Sequence, residues 1–470
     1  MSAAKSRARF VCSACGASHP KWSGRCAECG EWNTLVEEIV EGGAKARRRS
    51  KASAAPVKSL SEVSATEADR YGSGFGELDR LLGGGVVPGG LYLVGGEPGV
   101  GKSTLLLQVA GALAGAGRRV LYLAGEESPA QIKIRSERLG VPDRDVLVAA
   151  GTALDSLVAA CEETEPDVVI CDSIQTVYDP SLSSAPGSVS QVRAAAGEFQ
   201  RFCKGRGAAA FLVGHVTKGG GLAGPKTLEH AVDAVLQFEG DGHHDWRVLR
   251  ARKNRFGSTH EIAVFTMTGG GLEAVENPSA FFLDRERSER PSAGSAHVAS
   301  LEGTRPLLIE IQALAAESPY GTPQRVATGF DGRRLALLLA VLEKRAGFAI
   351  GGRDVFVNVV GGLTLSEPAA DLGVVVALAS SRTDRPVRPG TVTFGEIGLT
   401  GEVRPVRLTE ARLKEAARLG FRRAIIPAGS AGSAGASGEG ARAIGNGAGI
   451  RVVEADSVSR AVALALEEGP

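Results

Sequence analysis

Gly96-Glu97-Pro98-Gly99-Val100-Gly101-Lys102-Ser103, followed by Thr104, is the stretch on which the reading of the chain turns. It has the G-x4-G-K-[ST] spacing. It stands between a short apolar run, Leu91–Gly95, and a helix-like segment, Thr104–Ala114, the context that this motif requires. Glycines here let successive backbone N–H groups curl around phosphate oxygens, which side chains would obstruct. The N-terminus of the following helix adds a favourable dipole for an anion. Residues Gly96 through Thr104 are therefore expected to cradle nucleotide phosphates. Lys102 is expected at the β- and γ-phosphates and the Ser103 hydroxyl on Mg²⁺, so ATP and Mg²⁺ are the expected ligands.

Outward from this loop, residues 59–275 alternate apolar runs with helix-like segments. Val120–Ala124, Val168–Asp172, Ala209–Gly214 and Ala234–Glu239 are short and apolar throughout, as parallel strands covered on both faces should be. Ligands of such sheets bind at the carboxyl ends of the strands. Asp172 closes one run and is the expected second holder of Mg²⁺. Glu126 and Glu127 follow another, where a carboxylate would polarise the attacking water. Glu126 is preferred, although the sequence does not separate the two. His215 ends a third run, either as a γ-phosphate sensor or as a strand-end histidine with a local hydrogen bond. The order phosphate loop, strand, glutamate, strand, aspartate is of the RecA type, and the base-reading motif of GTPases is missing.

The length of 470 residues allows about three domains. An apolar fraction of 43% excludes a disordered chain, and 63 glycines without a G-X-Y period exclude collagen. No apolar run approaches the roughly 18 residues of a membrane span. Met1–Arg9 has no apolar core of a secretory signal. A cytoplasmic protein without a membrane partner is expected, with its cysteines reduced or metal-bound. The net charge of +1 hides an asymmetry: residues 1–58 hold 11 Lys/Arg against 5 Asp/Glu, which points to a polyanionic partner or to a solubilising tail.

Within that basic head, Cys12-x2-Cys15 and Cys26-x2-Cys29 make two knuckles separated by ten residues. Four thiolates at this spacing suit tetrahedral Zn²⁺, whereas a redox pair needs only one knuckle. Residues 10–33 are read as a four-cysteine zinc finger and residues 34–58 as a flexible basic linker. Lys21, Trp22 and Arg25 lie between the knuckles, and whether the finger meets nucleic acid or protein stays open. Cys161, Cys171 and Cys203 are expected to be inert core residues. Residues 276–295 are read as a connection and 296–465 as a further α/β block, in which Gly429–Gly449 reads as a mobile loop.

The run Gly72–Gly85 with the phosphate loop resembles the RecA superfamily. The four-cysteine head, Gly125-Glu-Glu-Ser128, Asp172-Ser-Ile-Gln-Thr176 and Lys253-Asn-Arg-Phe-Gly257 together resemble the bacterial RadA (Sms) family over nearly the whole chain. The resemblance implies a hexameric, DNA-stimulated ATPase that binds single-stranded and branched DNA. It also implies promotion of branch migration in recombinational repair, beside a strand-exchange recombinase. Lys253 and Arg255 match the family's basic pair, which implies coupling of nucleotide state to DNA, across a subunit boundary. Two segments, Tyr178–Ser190 and Lys218–Lys226, read as mobile channel loops, with Lys218 and Lys226 as candidate DNA contacts.

Residues 296–465 resemble the Lon protease domain, through Val357–Gly362, Glu367–Ala370, Gly398–Val403 and Ala424–Pro427. That family uses a serine nucleophile with a lysine base. Here Ala369 stands at the serine position, and an ungapped count puts Glu410 at the lysine position. No peptidase activity is expected. The block reads as an oligomerisation scaffold, with Arg333, Arg334, Lys344, Arg345 and Arg353 as candidates for a second DNA surface. The fold class is α/β: a RecA-like P-loop ATPase core with a small zinc-binding module and a Lon protease-like domain. Three other readings compete. A replicative-helicase-like unwinding enzyme is opposed by the zinc head and the C-terminal block. An ATP-dependent protease is opposed by Ala369 and Glu410. A non-enzymatic scaffold is opposed by the intact phosphate loop.

Overall fold

The computed structural model describes residues 7–12, 17–28, 30–40, 59, 70–142, 146–215, 226–240, 246–259, 261–283, 292–318, 321–430 and 449–466. The chain divides into two compact units, Met1–Glu276 and Asn277–Pro470. Among the described residues no helix is long and apolar enough to cross a membrane.

At the start of the first unit, β1 (Arg7–Cys12) pairs antiparallel with β2 (Ser18–His19) and β3 (Leu35–Val40). This corrects the reading of residues 34–58 as linker at Leu35–Val40, while residues 41–58 lie outside the described residues. Leu35 is buried with Cys12 and Cys26, and Leu35–Val40 closes the small sheet opposite β1 in full register. The polar composition around this strand hid its pairing partner, which lies more than twenty residues upstream.

The remainder of the unit is built on a nine-stranded sheet. In chain order its elements are α1 (Gly76–Leu81), β4 (Leu91–Gly96), α2 (Lys102–Gly115), β5 (Val120–Ala124), α3 (Pro129–Arg138), β6 (Val146–Ala150), α4 (Leu154–Thr164) and β7 (Val168–Asp172). Then follow α5 (Val189–Arg206), β8 (Ala209–His215), α6 (Lys226–Ala231), β9 (Ala234–Glu239), β10 (Trp246–Asn254), β11 (Ile262–Thr268) and β12 (Gly271–Ala274). The strand order is β12-β11-β10-β9-β4-β8-β7-β5-β6. From β9 to β6 neighbouring strands are parallel, and from β9 to β12 they are antiparallel. Every residue of β4, β5 and β7 is buried, because helices cover both faces. One apolar core packs α2 against the sheet through Leu105, Leu106, Val109 and Leu113. The other packs α4 and α5 through Leu157, Val192 and Phe199.

Cys161, Cys171 and Cys203 belong to that second core, and burial pushes the Cys161 and Cys203 thiols up to about 12. Neutral thiols of this kind are poor nucleophiles. The segment after β7, read as a mobile loop, is pinned instead. The buried Gln191 amide accepts from Asp179 N–H at 2.6 Å and donates to the Ser184 carbonyl at 2.8 Å. Residues 216–225, which include Lys218, lie outside the described residues.

The second unit opens with α7 (Pro278–Phe282), inside the segment read as a bare connection. Its seven-stranded sheet runs β15 (Arg325–Thr328), β16 (Arg353–Val359), β14 (Arg305–Glu317), β13 (Ser295–Glu302), β17 (Thr391–Thr393), β20 (Arg423–Pro427), β21 (Arg451–Ala455). A separate hairpin joins β18 (Glu396–Ile397) to β19 (Val403–Arg404). The helices are α8 (Gly332–Ala346), α9 (Asp371–Thr383), α10 (Thr409–Arg418) and α11 (Val458–Ala465). Helix α9 is buried along nearly its whole length. The stretch 431–448, most of the expected mobile loop, lies outside the described residues.

Candidate active site

The phosphate loop leaves β4 at Gly96 and enters α2 at Lys102, two residues earlier than the helix read from sequence. Gly101 has φ +113°, and a Cβ there would come within 2.8 Å of Met267 Cε. The turn therefore needs glycine both for its conformation and for its packing. Lys102 is buried, and its Nζ donates to the carbonyls of Gly96 and Glu97, each at 2.9 Å. Burial lowers its pKa, opposed by the charges of Asp172 and Glu126. A buried ammonium at a helix N-terminus, beside a glycine cradle that a Cβ would fill, fits the phosphates of a nucleotide.

Asp172 ends β7 and is buried, and Tyr122 Oη on β5 donates to its Oδ2 at 2.6 Å. Glu126, just beyond β5, accepts from Ser173 Oγ, and its Oε1 lies 3.1 Å from His215 Nε2 at the end of β8. Burial alone would raise the Glu126 pKa. The hydrogen bonds from Ser173 and His215 and the charges of His215 and Lys102 outweigh it, and the carboxyl sits below its ordinary range. Glu127 faces elsewhere, in an ion pair with Arg135 of α3. Thus the fold gathers Lys102, Asp172, Glu126 and His215 at the carboxyl ends of β4, β7, β5 and β8. It turns Glu127 away from them.

Sequence reasoning does not single out Tyr122 or Ser173. Tyr122 is the one polar-tipped side chain in the apolar run Val120–Ala124, and Ser173 adjoins Asp172. Those are the signals the sequence offers.

Lys253 and Arg255 lie away from this site. Asn254 pairs with Ala234, and Ala234 pairs with Tyr92 near the start of β4. The phosphate loop begins at the other end of that strand, roughly 13 Å further along at 3.3 Å per residue. Within one chain these two cations therefore stand apart from the phosphate loop, and an action across a subunit boundary is untouched by this placement. Lys253 Nζ donates to the carbonyls of Glu229 at 2.6 Å and Val232 at 2.7 Å, where α6 ends. Arg255 NH1 is 3.0 Å from Asp233 Oδ1, and Asp233 Oδ2 accepts from Leu91 N–H at 3.0 Å. The basic pair thereby ties α6 to the base of the phosphate-loop strand. Gly257 must be small, because a Cβ would lie 2.9 Å from Gly83 Cα. Lys226, the other candidate DNA contact, opens α6.

In the zinc-binding module the two first cysteines of the knuckles are equivalent. Cys12 N–H donates to Ala17 O and Cys26 N–H to Glu31 O, both at 2.9 Å. Both cysteines are buried, and Cys26 Sγ lies 3.4 Å from His19 Nε2. Two inward sulfurs on matching turns fit one half of a four-thiolate zinc shell. Cys15 and Cys29 lie outside the described residues.

In the second unit the Ala369 side chain packs into the core beside Leu413. Glu410 is exposed and pairs with Lys414 at 2.7 Å. Neither residue supplies a nucleophile or an amine base. Of the candidate second DNA surface, Arg334 is taken up by buried Asp371, with Nε to Oδ1 at 3.0 Å, and Arg353 pairs with Glu317 at 3.3 Å.

A sheet that is parallel around its phosphate loop, with a strand-end aspartate and a glutamate beyond the neighbouring strand, defines a RecA-like P-loop ATPase. The sequence matches the family described as an AAA domain over residues 57–221. It matches the rubredoxin metal binding domain over 10–37 and the ChlI subunit of Mg-chelatase over 334–430. It is 52% identical over 427 residues to the DNA repair protein RadA of Halalkalibacterium halodurans, covering 90% of this chain and 93% of that one. Against the Bacillus subtilis protein of the same name the identity is 50% over 429 residues, with 90% and 93% covered. Against the Escherichia coli K12 protein it is 47% over 426 residues, with 89% and 92% covered. The chain belongs to the DNA repair protein RadA family.

Proposed function

We propose that the chain is a DNA-dependent ATPase of recombinational repair. It acts in the cytoplasm as a homo-oligomeric ring of six subunits, on single-stranded and branched DNA, promoting branch migration beside a strand-exchange recombinase. The observation that carries this reading is the convergence of Lys102, Asp172, Glu126 and His215 at one sheet edge, in a chain of the RadA family.

The chemistry follows from these side chains. The Lys102 ammonium and the backbone N–H groups of the loop neutralise the phosphates, and the Ser103 hydroxyl with Asp172 would hold Mg²⁺, which offsets developing charge at the transferring phosphoryl group. Tyr122 fixes the Asp172 carboxylate in place. Glu126 stays ionised and orients the attacking water. His215, hydrogen-bonded to Glu126, is the residue through which the end of β8 responds to the terminal phosphate. The segment after β8, which contains Lys218, leads to Lys226 and α6, so a change at His215 is passed toward the candidate DNA contacts. Lys253 and Arg255 hold the far end of that same path. The four-cysteine module takes zinc, and the second unit assembles subunits without proteolysis.

A four-strand branch-migration assay with ATP tests the reading. Lys102→Ala is expected to abolish both DNA-stimulated ATP turnover and migration. Lys253→Ala is expected to bind nucleotide but to lose migration. Unchanged migration by Lys102→Ala overturns the proposal.

A further inference from the structure

The small cysteine module carries two large aromatic side chains that its fold leaves in water. Trp22 is 57% exposed and Trp32 is 68% exposed. They are neighbours. A Cβ placed on Gly24 would lie 3.6 Å from the Trp32 ring and 4.0 Å from the Trp22 ring. The two indoles flank Gly24, and its missing side chain leaves the floor between them bare.

The backbone fixes this arrangement. Arg25 and Trp32 face each other across an antiparallel bridge, and Asn33 N–H donates to the Gly24 carbonyl at 2.7 Å. Arg25 is anchored as well: its Nε donates to the Gly30 carbonyl at 2.8 Å, and its guanidinium carbon lies 5.9 Å from the Trp32 ring centroid. Aromatic rings of this size normally contribute to burial, and grouped exposure of apolar surface marks an interaction site.

The occupant follows from the chemistry around the rings. Every nucleobase has a π-face that stacks on an aromatic side chain whatever its identity, and the phosphates between bases need cations. Arg25 sits on the platform and exposed Lys21 precedes it. Rings with cations on one short module match single-stranded nucleic acid more closely than an apolar protein surface.

We propose that Trp22, Trp32 and Arg25 form a stacking platform for the unpaired bases of single-stranded DNA. The inference rests on the proposed action on single-stranded DNA and adds where bases are gripped outside the ATPase core. Trp246, the third and last tryptophan of the chain, is only 8% exposed, so quenching by direct contact with a ligand reports on the platform.

The test uses the full zinc-loaded chain and an oligo-dT strand. Tryptophan emission is expected to be quenched on titration. Trp32→Ala and Trp22→Ala are each expected to weaken binding by about five- to a hundredfold, as measured by anisotropy of the labelled strand. Trp32→Phe keeps a stacking ring and is expected to restore most of the affinity, and zinc content per chain verifies that each variant folds. If the strand binds by anisotropy while emission is unquenched and both alanine variants bind normally, the platform is refuted and DNA action by the core stands. If the strand does not bind at all, both readings fail. Emission that responds to a strand-exchange recombinase but not to oligo-dT makes this face a protein dock and overturns the proposal.

Discussion

Glu126 and His215 meet at the carboxyl edge of the sheet, with Oε1 of the one 3.1 Å from Nε2 of the other, whereas Glu127 is turned away to Arg135. Two adjacent carboxylates thus have different surroundings. Glu126→Gln is expected to lower kcat for ATP by about a hundredfold or more with KM little changed, since a positioned general base contributes roughly 10²–10⁴-fold. Glu127→Gln is expected to keep kcat within about tenfold and to act on α3 instead. Steady-state turnover of the two variants decides the assignment, and a larger loss in Glu127→Gln would reverse it.

Lys102 gives a pH prediction. Burial lowers its pKa below the ordinary 10.5, and the charges of Asp172 and Glu126 oppose that fall. The charged ammonium binds phosphate, so affinity is present at neutral pH and lost as pH rises through the lowered value. Removing either carboxylate removes a group that favours the charged form. In Asp172→Asn and Glu126→Gln the alkaline limb is therefore expected to move to lower pH. Titration of a fluorescent ADP analogue at a series of pH values above 7 reads this directly, and a limb that moves upward would contradict the geometry.

Lys253 caps the end of α6 through the Glu229 and Val232 carbonyls, and the phosphate loop of its own subunit is at the far end of β4. Lys253→Ala is expected to cost about 1–2 kcal/mol of stability through these lost charge-assisted bonds. Nucleotide affinity of the monomeric chain is expected to stay within about threefold, because each kcal/mol of lost contact would cost more than that. Thermal melting and nucleotide titration measure the two effects. A loss of affinity above tenfold in the monomeric chain would show that Lys253 reaches the phosphate loop of the same chain.

The legible parts of this molecule are those whose signal is local. The strands Val120–Ala124, Val168–Asp172 and Ala234–Glu239 are formed by the very residues whose unbroken apolar runs announce them. The loop Gly96–Ser103 declares itself because its spacing and its glycines serve one short-range geometry. What depends on distant pairing is hidden. Leu35–Val40 looks like linker until β1 is beside it. The contact of Lys253 with the end of α6 has no local signal, and the segment after Asp172 looks mobile until Gln191 reaches back to Asp179 and Ser184.

The second unit carries an ion pair beside the turn that holds Ala369. Arg412, on α10, is fully buried, and its NH1 lies 3.0 Å from Glu367 Oε2 while NH2 bonds Oε1 of the same carboxylate. Its Nε donates to the Arg407 carbonyl at 3.0 Å. Glu367 also accepts from Ser300 Oγ at 3.1 Å, which ties β13 to the turn that holds Ala369. This ion pair, with its guanidinium fully buried and its carboxylate half-buried, locks α10 to the sheet. Removing the carboxylate strands a buried guanidinium, a loss of roughly 3–5 kcal/mol. In a unit of this size each kcal/mol shifts Tm by about 2–4 °C, so Glu367→Ala is expected to lower the melting of this unit by about 6–20 °C. A structural lock predicts that the loss is additive with Lys102→Ala, which lies in the other unit, and that ATP binding survives at temperatures where the variant is folded. Calorimetry of the single and double variants checks it, and an unchanged transition in Glu367→Ala would show that the pair does not carry the fold.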